Sequence, residues 1–176
     1  MSKNCKPILV VAGEPYSVFL EIFFKSFRNN KFKKPIILIV SYNLLMKQMK
    51  SFNYKLKTNL IDPKKINYND INSKCINIID VNFKFIKFFD RISNKSNYYI
   101  NKCFKIALDL LKTKKFSGMI NGPISKKNFL GSKYLGITEF LANKTLVKKN
   151  VAMLIYNKKL SVSPLTTHLP IKRVHK

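Results

Sequence analysis

"PILVVAGEP", residues 7–15, decides the fold. Ile8 to Ala12 form a continuous apolar run, rich in β-branched residues and bounded by Pro7 and Gly13. So short a run, without polar alternation, fits a strand buried on both faces, as strands of parallel sheets are. Gly13-Glu14-Pro15 ends the strand, and Pro15 suits the first position of a helix, where its missing N–H would have had no partner. From Ser17 to Phe27 the apolar residues Phe19, Ile22, Phe23 and Phe27 recur at helical spacing. "PIILIV" (residues 35–40) is a second buried strand, followed by Ser41 as a helix N-cap and by Leu45, Met49 and Phe52 on one helical face. Strand, helix, strand, helix predicts an α/β fold: a parallel sheet with helices on its faces.

Outward from this unit, residues 53–74 are polar and Asn/Lys-rich, with Pro63, and predict loops around a short strand near Leu56 to Leu60. "CINIID" (75–80) reads as another buried strand. Between Asn97 and Lys112 the positions Ile100, Cys103, Phe104, Ala107 and Leu111 make a clear amphipathic stripe. Gly118-Met119-Ile120 is a strand running into the turn "NGPISK". Beyond it the pattern predicts a short helix near Ser125 to Leu130, a helix capped by Thr138, and strand-like runs at Val151 to Tyr156 and Leu160 to Leu165. Neither internal repeats nor a low-complexity linker interrupt the chain.

The 176 residues suffice for one domain with a real core, and 46% hydrophobic residues with 12% aromatics is globular composition. The formal charge of +26 suggests an anionic partner. The lysines are, however, spread along the whole chain beside abundant Asn and Ile, whereas a nucleic-acid footprint is clustered. A compositional bias therefore explains them better, although a basic surface would still attract phosphorylated metabolites. Cys5, Cys75 and Cys103 are odd in number and far apart, which argues against a disulfide framework or a zinc site and fits reduced, cytoplasmic thiols. Apolar runs stay far below the roughly 18 to 20 residues that span a bilayer. The expectation is a cytoplasmic protein without a membrane or nucleic-acid partner.

Ligands of open α/β sheets sit outside the carboxyl ends of the strands. Three loops leave strands with polar groups: Gly13-Glu14-Pro15, Asn121 to Lys126, and Thr166-Thr167-His168-Leu169-Pro170. Gly122 permits close backbone approach and Lys126 could meet an anion, yet the same residues also make an ordinary strand-to-helix turn with a solvated lysine. A lone histidine is not a metal site, since catalytic sites use about three protein ligands. Phe83, Phe85, Phe88 and Phe89 among Lys84 and Lys87 are open to two readings, a base-stacking surface or core, of which core is the commoner. His175, near the terminus, reads as solvated.

Taken together, "NGPISKKNFLGSKYLGITEFLANKT" (121–145), "VAMLI" (151–155) and "LSVSPLTTHLPIKRV" (160–174) resemble the central part of the 4-hydroxythreonine-4-phosphate dehydrogenases, the PdxA family of vitamin B6 biosynthesis. "PILVVAGEP" resembles that family's first strand and Gly-Glu-Pro turn. The resemblance implies an α/β/α sandwich of the isocitrate/isopropylmalate dehydrogenase-like class. It also implies NAD- or NADP-dependent oxidation of 4-phosphooxy-L-threonine, with decarboxylation to 3-amino-2-oxopropyl phosphate. By the same resemblance His168 is one of three histidines that hold a divalent metal ion (Zn, Mg or Co), and Thr138 contacts substrate. Family members are homodimers that share active sites between subunits.

Their length is about double, so residues 1–176 are expected to be an amino-terminal, truncated part of such an enzyme, without its carboxy-terminal half. Two departures bear on substrate choice. Ile137, which has no hydrogen-bonding group, stands where the family has histidine, and Tyr16 and Val18 stand where it has small residues. Alternatives are a related α/β enzyme acting on another phosphorylated metabolite and a basic, non-enzymatic nucleic-acid-binding module.

Overall fold

The computed structural model describes residues 6–30, 32–147, 151–164 and 171–173. The chain divides into two compact parts, Met1–Phe129 and Leu130–Lys176. In the first, β1 (Ile8–Val11), α1 (Phe19–Asn29), β2 (Ile36–Val40), α2 (Tyr42–Ser51), β3 (Thr58–Leu60), β4 (Ile76–Asp80), α3 (Asn97–Lys112) and β5 (Gly118–Asn121) follow in chain order. The five strands form one sheet in the order β3-β4-β2-β1-β5, and every neighbouring pair is parallel. β1 lies inside the sheet, between β2 and β5, because its continuous apolar run can be buried on both faces; Leu9 and Val11 are wholly enclosed.

Alternate residues of the strands face two different layers. Val10, Leu38, Val40, Ile76 and Ile78 pack against Leu20, Phe23 and Phe24 of α1 and Leu45 and Met49 of α2. Leu9, Val11, Ile37 and Ile39 belong to the opposite face, on which α3 lies against β1, β2 and β5 with Ile100, Cys103, Phe104 and Ala107 buried. The parallel sheet with helices on its faces, expected from strand–helix alternation, is therefore what the first part forms, in the α/β/α arrangement that the family resemblance implied. α3 carries the chain from β4 back across the sheet to β5, so β1 has β2, reached through α1, on one side and the later β5 on the other. That reversal of winding direction defines a switch point at the carboxyl ends of β1 and β5.

Several boundaries differ from the sequence expectations for physical reasons. Pro15 does not open α1, which begins at Phe19. The Glu14 carbonyl accepts bonds from Ser17 N (3.1 Å) and Ser17 Oγ (2.8 Å), and this intervening turn delays the helix. Ser41 does cap α2, accepting from Leu44 N at 3.5 Å, but the tighter hold on that helix start is Asp80 Oδ1 at the end of β4, which accepts from Tyr42 N at 2.8 Å. Lys126–Leu130 is a single wide turn of π type rather than an α-helix.

In the second part, α4 (Ile137–Lys144) starts from Gly136, so Thr138 lies inside its first turn and does not cap it. Phe140 is buried and meets the Tyr134 ring edge-on at 5.5 Å. The two strand-like runs reduce to one antiparallel bridge, Ile155 with Val162. Leu154, Ile155, Tyr156 and Leu160 are exposed, so no apolar layer rewards a longer ladder there. Among the described residues no helix is long and apolar enough to cross a membrane.

Candidate active site at the strand ends

At the switch point the loops after β1 and β5 interlock through their backbones. Gly122 N donates to Val11 O at 2.7 Å, and Glu14 N donates to Pro123 O at 2.8 Å. Gly13 adopts φ +75°, a left-handed conformation that glycine takes without strain, and a Cβ there would collide with Pro123 O. A Cβ on Gly122 would collide with Ala12 O and stand 2.9 Å from both Ala12 C and Phe19 Cδ2. Each glycine is therefore required by the other loop's backbone, which makes the strand-end junction one unit.

Glu14 turns inward from this junction and is only 2% exposed. Its Oε1 lies 2.6 Å from Ser96 Oγ, while Oε2 is buried with no partner among the described residues. Burial pushes the Glu14 carboxyl up from its ordinary value. Beside it, Gln48 is fully buried in α2, and its Nε2 donates to Pro15 O (3.1 Å) and Phe88 O (2.7 Å). Asn97 Nδ2 donates to Asn128 O at 2.7 Å, and Ser125 Oγ accepts from Asn128 N (3.0 Å) and Nδ2 (3.1 Å). The start of α3 and the turn after β5 are thus tied side by side. Lys126 is exposed next to this turn.

Among the residues expected from sequence, the Gly13-Glu14-Pro15 and Asn121 to Lys126 loops come together at the junction. Thr138 belongs to the second part, where it is half-buried and lines a hollow of about 490 Å³ with Glu139, Ala142, Asn143, Met153 and Pro164, among others. Ile137 is half-buried as the first residue of α4. His168, with Thr166 and Thr167, and His175 lie outside the described residues. Among the described residues no group of three or more His, Cys, Asp or Glu side chains could hold a metal ion. Cys75 and Cys103 are free and buried, and burial pushes the Cys103 thiol up to about 12.

The phenylalanine-rich stretch divides. Phe83 is core, with ring centroids 4.9 Å from Tyr99 and 5.8 Å from Tyr16, whereas Phe88 and Phe89 are partly exposed. Tyr16, bulky where small residues were expected, finds its place against Phe83. Val18 simply points to solvent at 62% exposure. Ser96, Asn97, Gln48 and Asn128 were not singled out from sequence. Gln48 had a visible signal: it is a polar residue on the same helical face as Leu45, Met49 and Phe52. Ser96 precedes the α3 stripe as an N-cap would, yet its hydroxyl makes no cap bond because it is turned toward Glu14 and Ser93.

Comparison with known proteins gives concordant matches. The family described as pyridoxal phosphate biosynthetic protein PdxA matches residues 31–176. A 4-hydroxythreonine-4-phosphate dehydrogenase of Wigglesworthia glossinidia brevipalpis is 40% identical over 85 residues, covering 47% of this chain and 25% of that protein. One from Yersinia enterocolitica is 30% identical over 82 residues, covering 46% and 24%. Among solved structures, a 4-hydroxythreonine-4-phosphate dehydrogenase from Burkholderia phymatum superposes with a TM-score of 0.81 at 23% identity, covering 97% of this chain and 52% of that one. The enzyme of the same name from Klebsiella pneumoniae gives 0.79 at 23% identity, covering 95% and 52%. At these identities the superpositions show the fold, and the chain spans about half the length of the structures it matches.

Proposed function

The chain belongs to the PdxA family, and from that premise we propose that it takes part in the NAD(P)-dependent oxidation of 4-phosphooxy-L-threonine, with decarboxylation to 3-amino-2-oxopropyl phosphate, in vitamin B6 biosynthesis. The single observation that carries this reading is the family match over residues 31–176, which contains the β5 loop, Thr138 and His168. The interlocked strand-end junction supports it, because this is where open α/β sheets receive small anionic substrates.

Thr138 is proposed as a substrate contact. It sits in the first turn of α4, where backbone N–H groups lack helical acceptors and the helix dipole favours a phosphate. Its hydroxyl adds a donor that can rotate toward a phosphate oxygen. Glu139 in the same turn would repel a phosphate on its side, so the anion is expected to approach from the Thr138 side. His168 is proposed as one ligand of a divalent metal ion, Zn, Mg or Co. The described residues do not by themselves assemble a metal donor set. A bound nicotinamide nucleotide would supply the hydride acceptor. The chain's own share is to bind the phosphate and orient the substrate. A homodimer with shared sites and a cytoplasmic location belong to the same reading.

The test is calorimetric titration of the 176-residue chain with 4-phosphooxy-L-threonine, paired with nicotinamide absorbance assays using NAD+ or NADP+ and each of the three metals. Binding that inorganic phosphate competes away, or metal-dependent nucleotide reduction, is the expected result. Neither binding nor reduction with any combination would overturn the assignment.

A further inference from the structure

Around Glu14 one serine proton faces two oxygen neighbours. Ser96 Oγ has one proton and two close oxygen neighbours, Glu14 Oε1 at 2.6 Å and Ser93 O at 2.9 Å. Ser93 O is a backbone carbonyl and can only accept. An ionised Glu14 can also only accept, so the single Ser96 proton would have to be shared between two oxygens. The 2.6 Å length alone fits a hydroxyl donating to a carboxylate as well as an acid donating to a hydroxyl. A neutral Glu14 gives each contact its own proton: Ser96 donates to Ser93 O, and Glu14 donates to Ser96 Oγ.

The surroundings agree. Glu14 is 2% exposed, and Oε2 has no partner among the described residues, which costs far less for the carbonyl oxygen of a neutral acid than for an oxygen sharing a negative charge. Among the described residues no side-chain ammonium or guanidinium forms an ion pair with it. The groups facing it are Ser96 at the start of α3, the Pro123 carbonyl after β5, which accepts from its backbone N–H, and the Tyr16 phenol.

We propose that Glu14 is held as a neutral carboxylic acid that donates its proton to Ser96 Oγ, and that this bond makes it a positioning residue fastening the β1–β5 strand-end junction to the start of α3. Its backbone N–H already holds Pro123 O, so one residue joins both loops to the helix. Raising the pH until Glu14 ionises would break this fastening and loosen the junction. The role rests on the hydrogen-bond geometry and is independent of which substrate the strand ends receive.

The glutamates of the chain are Glu14, Glu21 and Glu139, which makes the test simple. Carbon-13 NMR of the full 176-residue chain, labelled at glutamate side-chain carboxyls, should show one resonance at the neutral-acid position at neutral pH. That resonance should persist in Glu21→Gln and in Glu139→Gln and vanish in Glu14→Gln. If all the glutamates are ionised at neutral pH, the proposal fails, and the Glu21→Gln and Glu139→Gln spectra decide this even if Glu14→Gln does not fold.

Denaturant unfolding against pH gives a second readout. The folded state keeps the Glu14 proton longer than the unfolded state, so wild-type stability should fall as pH rises from the ordinary glutamate value through the raised one. Each unit of elevation changes the folding equilibrium by about ten-fold. Glu14→Gln, which keeps a donor for Ser96 Oγ, should fold and lack this slope. An identical slope in that variant would overturn the proposal.

Discussion

Replacing Gly122 by alanine adds one methyl group at the tightest point of the fold. The new Cβ would overlap the Ala12 carbonyl oxygen and stand 2.9 Å from Ala12 C and from Phe19 Cδ2. Two of these neighbours are backbone atoms of the loop leaving β1, so no side-chain rotation relieves the clash. Either β1 and β5 separate at their ends, weakening the 2.7 Å bond from Gly122 N to Val11 O, or the Gly13–Glu14 turn moves with its buried carboxyl. Overpacking of this kind costs about 3 kcal/mol. For a chain of this size that corresponds to a fall in Tm of roughly 6–12 °C. Gly118→Ala is the internal control, because a Cβ there meets nothing within 4 Å at the other end of the same strand, and its effect should stay within about 0.5 kcal/mol. Urea unfolding followed by far-ultraviolet circular dichroism measures both. Equal stabilities of the two variants would refute the interlocked-junction argument.

Further outcomes follow from single groups. Tyr99→Phe removes the phenolic oxygen that accepts from Ser41 N at 3.0 Å in the core, and leaving that buried N–H unpaired should cost about 1–3 kcal/mol in denaturant unfolding. Cys103, with its thiol pushed up to about 12 from 9.0, should resist alkylation at pH 8 in the folded chain and react once urea unfolds it; because its folded value is the higher one, its contribution to stability should be lost as pH climbs from 9 to 12. Thr138→Ala should weaken binding of 4-phosphooxy-L-threonine by about ten-fold, in line with a lost hydrogen bond to a charged group, while leaving the thermal transition nearly unchanged; calorimetric titration checks it.

How much was legible differs between the sheet and the site. β1, β2 and β4 could be read because their apolar runs are continuous, and α3 matched its expected span, Asn97–Lys112, because its stripe is periodic. The start of α1 was misplaced. Pro15 is a good helix opener locally, but Glu14 and Ser17 close a turn of their own first. Thr138 looked like a cap from its residue type, whereas Gly136, extended at φ −162°, takes that position. The Gly-Glu-Pro and Asn-Gly-Pro loops could each be named as strand-end loops. That they meet, and that each glycine is demanded by the other's backbone, depended on the strand order β2-β1-β5, which joins residues more than a hundred positions apart.

By itself, then, the sequence determined the kinds of element, their alternation and hence a parallel sheet under two helical layers, because those follow from periodicity and β-branching over short windows. The rare strings from Asn121 onward identified the family. Only the tertiary structure decided which strands became neighbours, that Gln48 would be sealed in beneath Pro15, and that Glu14 would face Ser96 in the interior. The reason is physical: burial and hydrogen-bond partnership are set by whatever the folded chain brings alongside a residue, and the carboxyl of a strand-end loop becomes buried when the start of a distant helix closes over it.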